Sequence, residues 1–268
     1  MRSRFLAELT TPEIEEYLSK GAGTALLPVG SVEMHGPHQP VGTDTLIAQA
    51  FALKLAEAAD GLVLPEVAYT WAGATDGFAG TISLEPELAM RTVEAVAVKV
   101  FRMGFARMVV LSVHAPNQHG LFFAVRRVFE THGLPVVFVD PFQGRHDDTR
   151  DIFEGPYAAS AEASMVLAAL HVLGRGELYS EARMAYEDQA PPAPEGLAEI
   201  GRIGTVGYFM QDPRQHACPS KHVSLAKGLE FIDKQVRHIA SILAPLDRYT
   251  QAAAAQGNRG WWRPDTER

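Results

Sequence analysis

Four short apolar segments, separated by longer stretches with helical periodicity, constrain the fold of this 268-residue chain most strongly. The apolar segments are residues 24–29, 62–67, 108–113 and 134–139. Helical spacing of apolar residues and helix start and stop signals predict helices at about 11–20, 43–59, 85–103, 117–132, 158–173 and 221–243. Strands that alternate with helices build parallel sheets. We therefore predict an α/β fold, with a mostly parallel sheet and helices on both faces in three layers.

Domain organisation follows from the absence of a convincing linker in the sequence. We predict a single domain over residues 1–250 and a C-terminal tail over 251–268 that contains Trp261 and Trp262. The tail is expected either to cover a neighbouring subunit or to fray. Two long polar stretches, 141–156 and 186–220, are typical of lids or binding loops, or else of disorder.

Charge and cysteine content exclude several classes of partner and site. The net charge is −8 and no cluster of Lys and Arg is present, which argues against nucleic acid. No apolar run approaches the length of a membrane span. The single cysteine, Cys218, allows neither an internal disulfide nor a cysteine-type zinc site, and it favours a reducing, cytoplasmic location. A small-molecule substrate is the partner that we expect.

The segment 31–45 concentrates polar side chains between an apolar strand and an apolar helix. It contains Glu33, His35, His38 and Asp44. Glu33 and His35 are two residues apart, so an extended chain directs both side chains to the same side. Carboxylate and imidazole groups suit zinc, manganese or iron. The segment therefore predicts a divalent-metal site, although a solvated loop with a helix-capping aspartate remains an alternative.

Two further polar residues lie where a parallel sheet would bring them to the same site. His114 follows the third strand, and strand carboxyl ends share one edge of a parallel sheet. Glu162 lies on an otherwise apolar helix, where a buried carboxylate needs a partner such as a metal. The alternatives are a hydrogen-bonded histidine at a strand end and a salt-bridged surface glutamate. We expect His38 and His119 either to support the ligands or to be structural, rather than to bind metal, and we treat the following histidines as ordinary: His132, His146, His171, His216, His222 and His238.

Four motifs resemble those of the creatininase (creatinine amidohydrolase) family. Residues 30–45 match the family pattern Gly-Ser-x-Glu-x-His-Gly-Pro-His-x-Pro-x-x-Thr-Asp-Thr. Residues 77–84 are similar to its Phe-Pro-Gly-Thr-Ile-Ser-Leu stretch. The pair His114 and Asn117 resembles Asn-Gly-His-Gly-Gly-Asn, and residues 162–164 resemble Glu-Thr-Ser. The order and spacing of these motifs cover most of residues 24–170.

The resemblance implies a creatininase-like fold and a hydrolase with two divalent metal ions, Zn²⁺ or Mn²⁺, with Fe²⁺ as an alternative. It implies action on carbon–nitrogen bonds other than peptide bonds, and a homo-oligomer such as a hexamer. Carried over by position, the metal ligands are Glu33, His35, Asp44, His114 and Glu162, with Asp44 bridging the two ions.

The departures from the family pattern concern the residues around the ligands. Pro116 stands where creatininase itself has a ligand glutamate, so this chain must rely on Glu162. Tyr157 stands where creatininase has a proton-transferring histidine, which makes Glu162 and Tyr157 the candidate catalytic residues. We expect Trp71, Thr75 and Asp76, in a variable stretch, to contact substrate, with core packing as the alternative for Trp71. The metal chemistry is expected to be retained and the substrate pocket to differ.

Together these residues predict a metal-dependent amidohydrolase. It would cleave the C–N bond of a small polar amide or cyclic amide with a metal-activated water. The same site could act on a lactone, a cyclic ketone or a formamide. A third hypothesis is a metal-binding scaffold protein without catalysis. No Gly-x-Ser-x-Gly elbow is present, which argues against a serine hydrolase.

Overall fold

The structure, a computed structural model, describes residues 1–21, 23–143 and 147–256. The strands are β1 Thr24–Pro28, β2 Leu62–Val63, β3 Arg107–Leu111 and β4 Val136–Val139. The helices are α1 Thr11–Ser19, α2 Thr43–Ala58, α3 Pro86–Arg102, α4 Asn117–His132, α5 Asp147–Arg150, α6 Ala161–Val172, α7 Glu181–Met184, α8 Leu197–Ile200, α9 Leu225–Ser241 and α10 Leu243–Gln256. Short 3-10 turns lie at Leu6–Glu8, Gly73–Thr75, Asp151–Phe153, Gly155–Ser160, Gly176–Leu178 and Pro213–Gln215.

The sheet has the order β2-β1-β3-β4, and all of its strand pairs are parallel. Leu26 of β1 pairs with Val63 on one side and with Val109 on the other. Every residue of β1 is buried, whereas β4 at the sheet edge is only half-buried. A continuous apolar strand such as β1 is expected where helices cover both faces of a parallel sheet.

Alternate side chains of the strands point to two separate cores. Leu26 and Val109 pack against α2, α6 and α9 on one face, whereas Ala25 and Met108 pack against α1, α3 and α4 on the other. This alternation follows from the two-residue period of a strand. The predicted three-layer α/β fold, with a mostly parallel sheet and helices on both faces, is confirmed.

Helix α6 packs against both α2 and α9, and its side chains from Ala163 to Leu170 are all buried. Gly228 of α9 makes a close approach between helices possible. A Cβ atom at this position would lie 2.7 Å from the Cβ of Ala168, and closer still to the carbonyl oxygen of Ser164. Because α6 carries Glu162 in its first turn, this contact helps to position the candidate site.

The variant Gly228→Ala should lower the free energy of unfolding by about 1–3 kcal/mol, because the added methyl group overpacks the α6–α9 contact. Thermal or urea unfolding measures this change. The matched control is Gly120→Ala in α4, where a Cβ atom would lie 3.4 Å from Met90, an ordinary contact. The control should be neutral or gain up to about 1 kcal/mol, since alanine is the better helix former. Equal stability of the two variants would contradict this prediction.

Local chemistry explains where the observed elements depart from the predicted bounds. The predicted strand 62–67 is paired as a strand only at Leu62–Val63, and Pro65 has no N–H to extend the ladder. The predicted helix 158–173 begins three residues later, after a 3-10 turn at Gly155–Ser160. The predicted helix 221–243 begins at Leu225, because the Ser224 hydroxyl accepts a hydrogen bond from the Lys227 N–H and caps it.

The predicted end of the domain falls inside a helix of the structure. Helix α10 runs from Leu243 to Gln256, across the predicted end of the domain at residue 250. Trp261 and Trp262 of the predicted tail, and His146, lie outside the described residues. Among the helices that the structure describes, none combines the length and apolar character needed to cross a bilayer.

Candidate metal centre

The five predicted ligand residues converge at one edge of the sheet. Glu33 and His35 lie on the loop that follows β1, and Asp44 lies in the first turn of α2. His114 follows β3, and Glu162 lies in the first turn of α6. Parallel strands place their carboxyl ends at the same edge, which explains why residues so distant in sequence meet here.

One group of possible ligands consists of Glu33, Asp44 and His114. The Nδ1 atom of His114 lies 2.9 Å from Glu33 Oε1 and 2.9 Å from Asp44 Oδ2. All three side chains are buried. One potential ligand atom from each lies within 4.8 Å of the others, a spacing that suits a shared metal ion.

A second group consists of His35, Asp44 and Glu162. The Nε2 atom of His35 lies 3.5 Å from Asp44 Oδ1 and 3.7 Å from Glu162 Oε1. The ligand atoms of this group also lie within 4.8 Å of one another. Asp44 belongs to both groups and directs a different oxygen to each histidine. Glu162 is the least enclosed member, with 33% of its side chain exposed.

Backbone carbonyl groups fix the orientation of both imidazole rings. His35 Nδ1 lies 3.1 Å from the carbonyl oxygen of Glu33, and His114 Nε2 lies 2.8 Å from that of Trp71. A proton on each of these nitrogens donates to the carbonyl and leaves the other ring nitrogen free to face the carboxylates. Histidines that bind metals are commonly held by such a hydrogen bond from the second ring nitrogen.

Electrostatic coupling within the cluster shifts the pKa of its members. Burial by itself lowers the pKa of His35, but Asp44, Glu162 and Glu33 outweigh it and raise the pKa to about 9. Burial also lowers the pKa of His114, yet Asp44 and Glu33 raise it to about 10. Burial would raise the pKa of Asp44, but the two imidazoles hold it well below its usual range. The cluster therefore keeps its bridging carboxylate ionised.

The chemistry of these side chains fits a divalent cation. The buried Asp44 carboxylate faces the imidazoles of His35 and His114, at 3.5 and 2.9 Å. A buried charge is costly unless it is paired, and a cation among these groups would pair the carboxylates once the imidazoles are neutral. Three carboxylates and two imidazoles supply the oxygen and nitrogen ligands that zinc, manganese and iron accept.

The predicted substrate-contact residues lie beside this cluster in different environments. Thr75 is buried, and its hydroxyl donates a hydrogen bond to Glu33 Oε2. Trp71 is 45% exposed as a residue, so core packing does not account for its position. Asp76 is exposed at the end of the Gly73–Thr75 turn. Thr75 contacts a possible ligand through its side chain, whereas Trp71 contacts His114 through its backbone carbonyl group.

Pro116 and Tyr157, the two residues that depart from the family pattern, have different surroundings in the structure. Pro116 is the N-cap residue of α4 and offers no ligand atom from its side chain. The ring of Tyr157 contacts the His222 ring at a centroid distance of 5.9 Å, and the Lys227 Nζ atom lies 4.4 Å from its centroid. Among the described residues, none of the five possible ligands makes a hydrogen bond or a ring contact with Tyr157.

His216, for which the sequence analysis predicts no role, lies at the centre. Its ring centroid is 4.6 Å from that of His35, and it forms a third possible ligand group with Glu33 and His35. Burial, and secondarily the charge of His35, lowers the pKa of His216 to about 4. No local spacing in the sequence links His216 to the other ligands. The length of the 186–220 stretch, which predicts a binding loop, is the one signal that points to this region.

Curated relatives of the chain act on different substrates. Creatinine amidohydrolase of Pseudomonas putida is 31% identical over 136 residues, which is 47% of this chain and 52% of that protein. The mycofactocin precursor peptide peptidase of Mycolicibacterium smegmatis is 48% identical over 65 residues, covering 22% and 26% of the two chains. The 3-dehydro-scyllo-inosose hydrolase of Thermotoga maritima is 23% identical over 221 residues, covering 78% and 67%. The matches thus span about half and about a quarter of the first two relatives.

Solved structures of creatininase have the same fold over almost the whole chain. A crystal structure of creatinine amidohydrolase superposes with a TM-score of 0.70 at 24% identity, covering 91% of this chain and 98% of that one. A mutant creatininase of the Zn–Zn type gives a TM-score of 0.71 at 24% identity, covering 92% and 99%. The family model described as creatinine amidohydrolase matches residues 7–243. Since that match covers most of the sequence and includes every element that carries the carboxylate–imidazole cluster, the chain belongs to the creatininase family of hydrolases.

Proposed function

We propose that this protein is a metal-dependent amidohydrolase that cleaves the C–N bond of a small polar amide or cyclic amide. Two divalent ions, Zn²⁺ or Mn²⁺ with Fe²⁺ as an alternative, would be held by Glu33, His35, Asp44, His114 and Glu162. The observation that carries the proposal is the position of Asp44, whose two oxygens face two different histidines, His35 and His114. Zn and Mn forms of creatininase support the choice of metals.

The side chains of the cluster would have different roles in hydrolysis. A divalent metal at such a site lowers the pKa of water and polarises a carbonyl group. Glu33 and Asp44, both buried, balance the positive charge, and Thr75 orients Glu33 through its hydrogen bond. Glu162 is the partly exposed carboxylate, so it can meet the substrate, accept a proton from the attacking water and pass that proton to the leaving nitrogen. Tyr157 is the weaker candidate for this proton transfer, because its ring contacts His222 and Lys227 instead.

The type of bond cleaved is inferred from the relatives. The P. putida relative is named for an amide substrate, and the M. smegmatis relative for a peptide. Both substrates contain a carbonyl group attached to nitrogen, which favours amide hydrolysis here. The exposed side chains of Trp71 and Asp76 are the groups that we propose to select the substrate. We further propose a homo-oligomer, with a hexamer as the form to test, and a cytoplasmic location.

Elemental analysis and a substrate panel test the proposed function together. Purified protein, reconstituted with Zn²⁺ or Mn²⁺, is assayed on cyclic amides, linear amides, short peptides, lactones, cyclic ketones and formamides. We expect close to two metal ions per chain and hydrolysis confined to the amide group. Turnover of lactones or ketones alone would favour the rival carbonyl chemistry. Full metal occupancy without any turnover would favour the scaffold hypothesis, and undiminished turnover in metal-free protein would end the proposal.

Metal binding should release protons and strengthen as the pH rises. His35 and His114 have raised pKa values of about 9 and 10 in the metal-free protein, so at pH 7 each ring holds a second proton, on the nitrogen that faces the carboxylates. Metal ligation requires neutral imidazole, hence each ion displaces protons, up to about two per chain. Affinity should therefore increase between pH 6 and pH 9. Calorimetric titration in buffers of different ionisation enthalpy measures the release, and a value near zero would contradict the prediction.

A further inference from the structure

The long segment 186–220, here named the covering loop, brings an additional imidazole to the candidate metal centre. A ring nitrogen of His216 lies within 4.8 Å of ligand atoms of both Glu33 and His35. The Nδ1 atom of His216 is buried, and the described residues offer it no hydrogen-bond partner. Leaving a buried polar atom unsatisfied costs about 1–3 kcal/mol. A cation bound by Nδ1 of His216 and shared with Glu33 and His35 would remove that cost.

Backbone hydrogen bonds close the covering loop at its base, and the loop packs beside residues 31–45, here named the ligand segment, which carry Glu33, His35 and Asp44. Tyr186 and Ser220 exchange two backbone hydrogen bonds, with N···O distances of 2.9 and 2.8 Å. The ring of Tyr186 stacks on that of His38 at a centroid distance of 5.3 Å. Farther along the loop, the Met210 N–H donates to the Ala74 carbonyl at 2.8 Å. These contacts hold the loop over the end of the sheet where the five possible ligands meet.

Two backbone features lie next to His216, one in the covering loop and one in the loop that follows β1. Gly36, next to His35, has a φ of +67°, and a Cβ atom there would lie 2.9 Å from the His216 carbonyl oxygen. The loop therefore packs directly on the ligand segment. Ala217 has a φ of 57°, a left-handed conformation that costs a non-glycine residue about 1–3 kcal/mol. Such strain persists where the surrounding contacts impose it, and here it accompanies the inward turn of His216.

We propose that His216 is a further ligand of the divalent-metal centre and that metal binding fixes the covering loop over the site. This inference rests on the proposed metal dependence of the protein. His216, together with Glu33 and His35, supplies two nitrogens and one carboxylate, a set that zinc and manganese both accept. The loop then contributes to the metal site itself, and its position depends on the metal.

The test compares His216→Gln and His216→Ala with the wild-type chain, and uses His171→Ala, an exposed residue of α6, as the control. The affinity for Zn²⁺ is measured by competition with a chromogenic chelator. Both His216 variants should lose at least about tenfold in affinity, since even indirect supports of a metal site contribute that much. The control should match the wild type. Thermal unfolding of the metal-free forms shows whether a variant has kept its fold.

Two readouts do not depend on enzymatic activity. Zn²⁺ should protect wild-type protein, but not His216→Gln, from tryptic cleavage after Arg202, which is exposed in the covering loop. In Co²⁺-loaded wild-type protein, proton NMR should show three exchangeable, hyperfine-shifted imidazole N–H signals, from His35, His114 and His216. Two such signals, or wild-type affinity and protection in His216→Gln, would overturn the inference alone. Wild-type protein that binds neither Zn²⁺ nor Co²⁺ would overturn the proposed function with it.

Discussion

The variant Asp44→Asn is expected to lose bound metal and hydrolytic activity together. Asp44 is the residue common to the two principal ligand groups, with Oδ1 3.5 Å from His35 Nε2 and Oδ2 2.9 Å from His114 Nδ1. An amide provides one neutral oxygen in place of two charged ones, so it cannot bridge two cations. The fall in kcat/KM should be at least about 10³-fold, which corresponds to several kcal/mol of lost metal stabilisation.

The control for this variant makes the same substitution at a carboxylate outside the candidate metal centre. Asp60 is exposed just after α2 and pairs with Arg4 at 2.5 Å. Its φ of 49° is a conformation that asparagine adopts readily, so Asp60→Asn should keep its metal, its activity and, to within about 1 kcal/mol, its stability. Metal per chain is measured by elemental analysis, and circular dichroism confirms folding. An Asp44→Asn protein with two ions and wild-type turnover would refute the assignment of Asp44.

The variant Gly30→Ala is expected to have the second largest effect, because Gly30 joins β1 to the segment that carries the ligands. A Cβ atom at Gly30 would lie 2.5 Å from the backbone nitrogen of Thr45 and closer still to the Thr45 hydroxyl. Thr45 follows Asp44 in the first turn of α2. The methyl group must therefore displace the start of α2, and Asp44 with it. Backbone atoms move less easily than the end of a flexible side chain, so the steric clash between the added methyl group and Thr45 is difficult to relieve.

We expect Gly30→Ala to lower the free energy of unfolding by about 3 kcal/mol, at the upper end for overpacking, and to weaken metal binding. The Gly30 carbonyl also accepts hydrogen bonds from Thr70 Oγ1 at 2.8 Å and from Asn117 Nδ2 at 2.9 Å, so a shift here spreads to neighbouring elements. Gly42→Ala, twelve residues later, is the control. No atom lies within 4 Å of a Cβ there, and its φ of −93° suits alanine. Its cost should stay below about 1 kcal/mol.

Denaturant unfolding of the metal-free proteins separates the loss of stability from the loss of metal. Metal titration at a temperature where both variants are folded then gives the change in affinity. If Gly30→Ala and Gly42→Ala were equally stable and bound metal equally well, the close contact between Gly30 and Thr45 would not be what positions Asp44.

Much of the fold follows from local sequence signals. Helix α4 begins at Asn117 and ends at His132, as predicted, because Gly133 stops it with a φ of 68°. The strand segments were found from their apolar character, and their parallel arrangement follows from the helices between them. The length of β2 was overestimated, since hydrophobicity alone does not show where a backbone ladder ends. The predicted helix 221–243 ends within two residues of the end of α9 at Ser241, but the sequence analysis does not predict α10, which follows at Leu243–Gln256.

The candidate site could be predicted where its residues share a short motif, follow a strand or, like Glu162, place a carboxylate on an otherwise apolar helix. Glu33, His35 and Asp44 are close in sequence, and His114 lies at the end of a strand next to theirs in the sheet. His216 could not be predicted, since it reaches the site through the fold of a long irregular loop. The exposure of Trp71 and the separation of Tyr157 from the cluster likewise depend on packing between distant elements.

The sequence by itself determined the α/β class, the order of strands and helices, and a set of metal-ligating residue types, because these depend on local periodicity and short spacing. Tertiary structure decided which side chains actually meet. Asp44 directs one oxygen to each of two histidines because close packing of Gly30 on Thr45 sets the start of α2. His216 joins Glu33 and His35 because the covering loop packs on Gly36. Contacts between residues far apart in the chain are absent from any local pattern, and they fix the geometry on which metal binding depends.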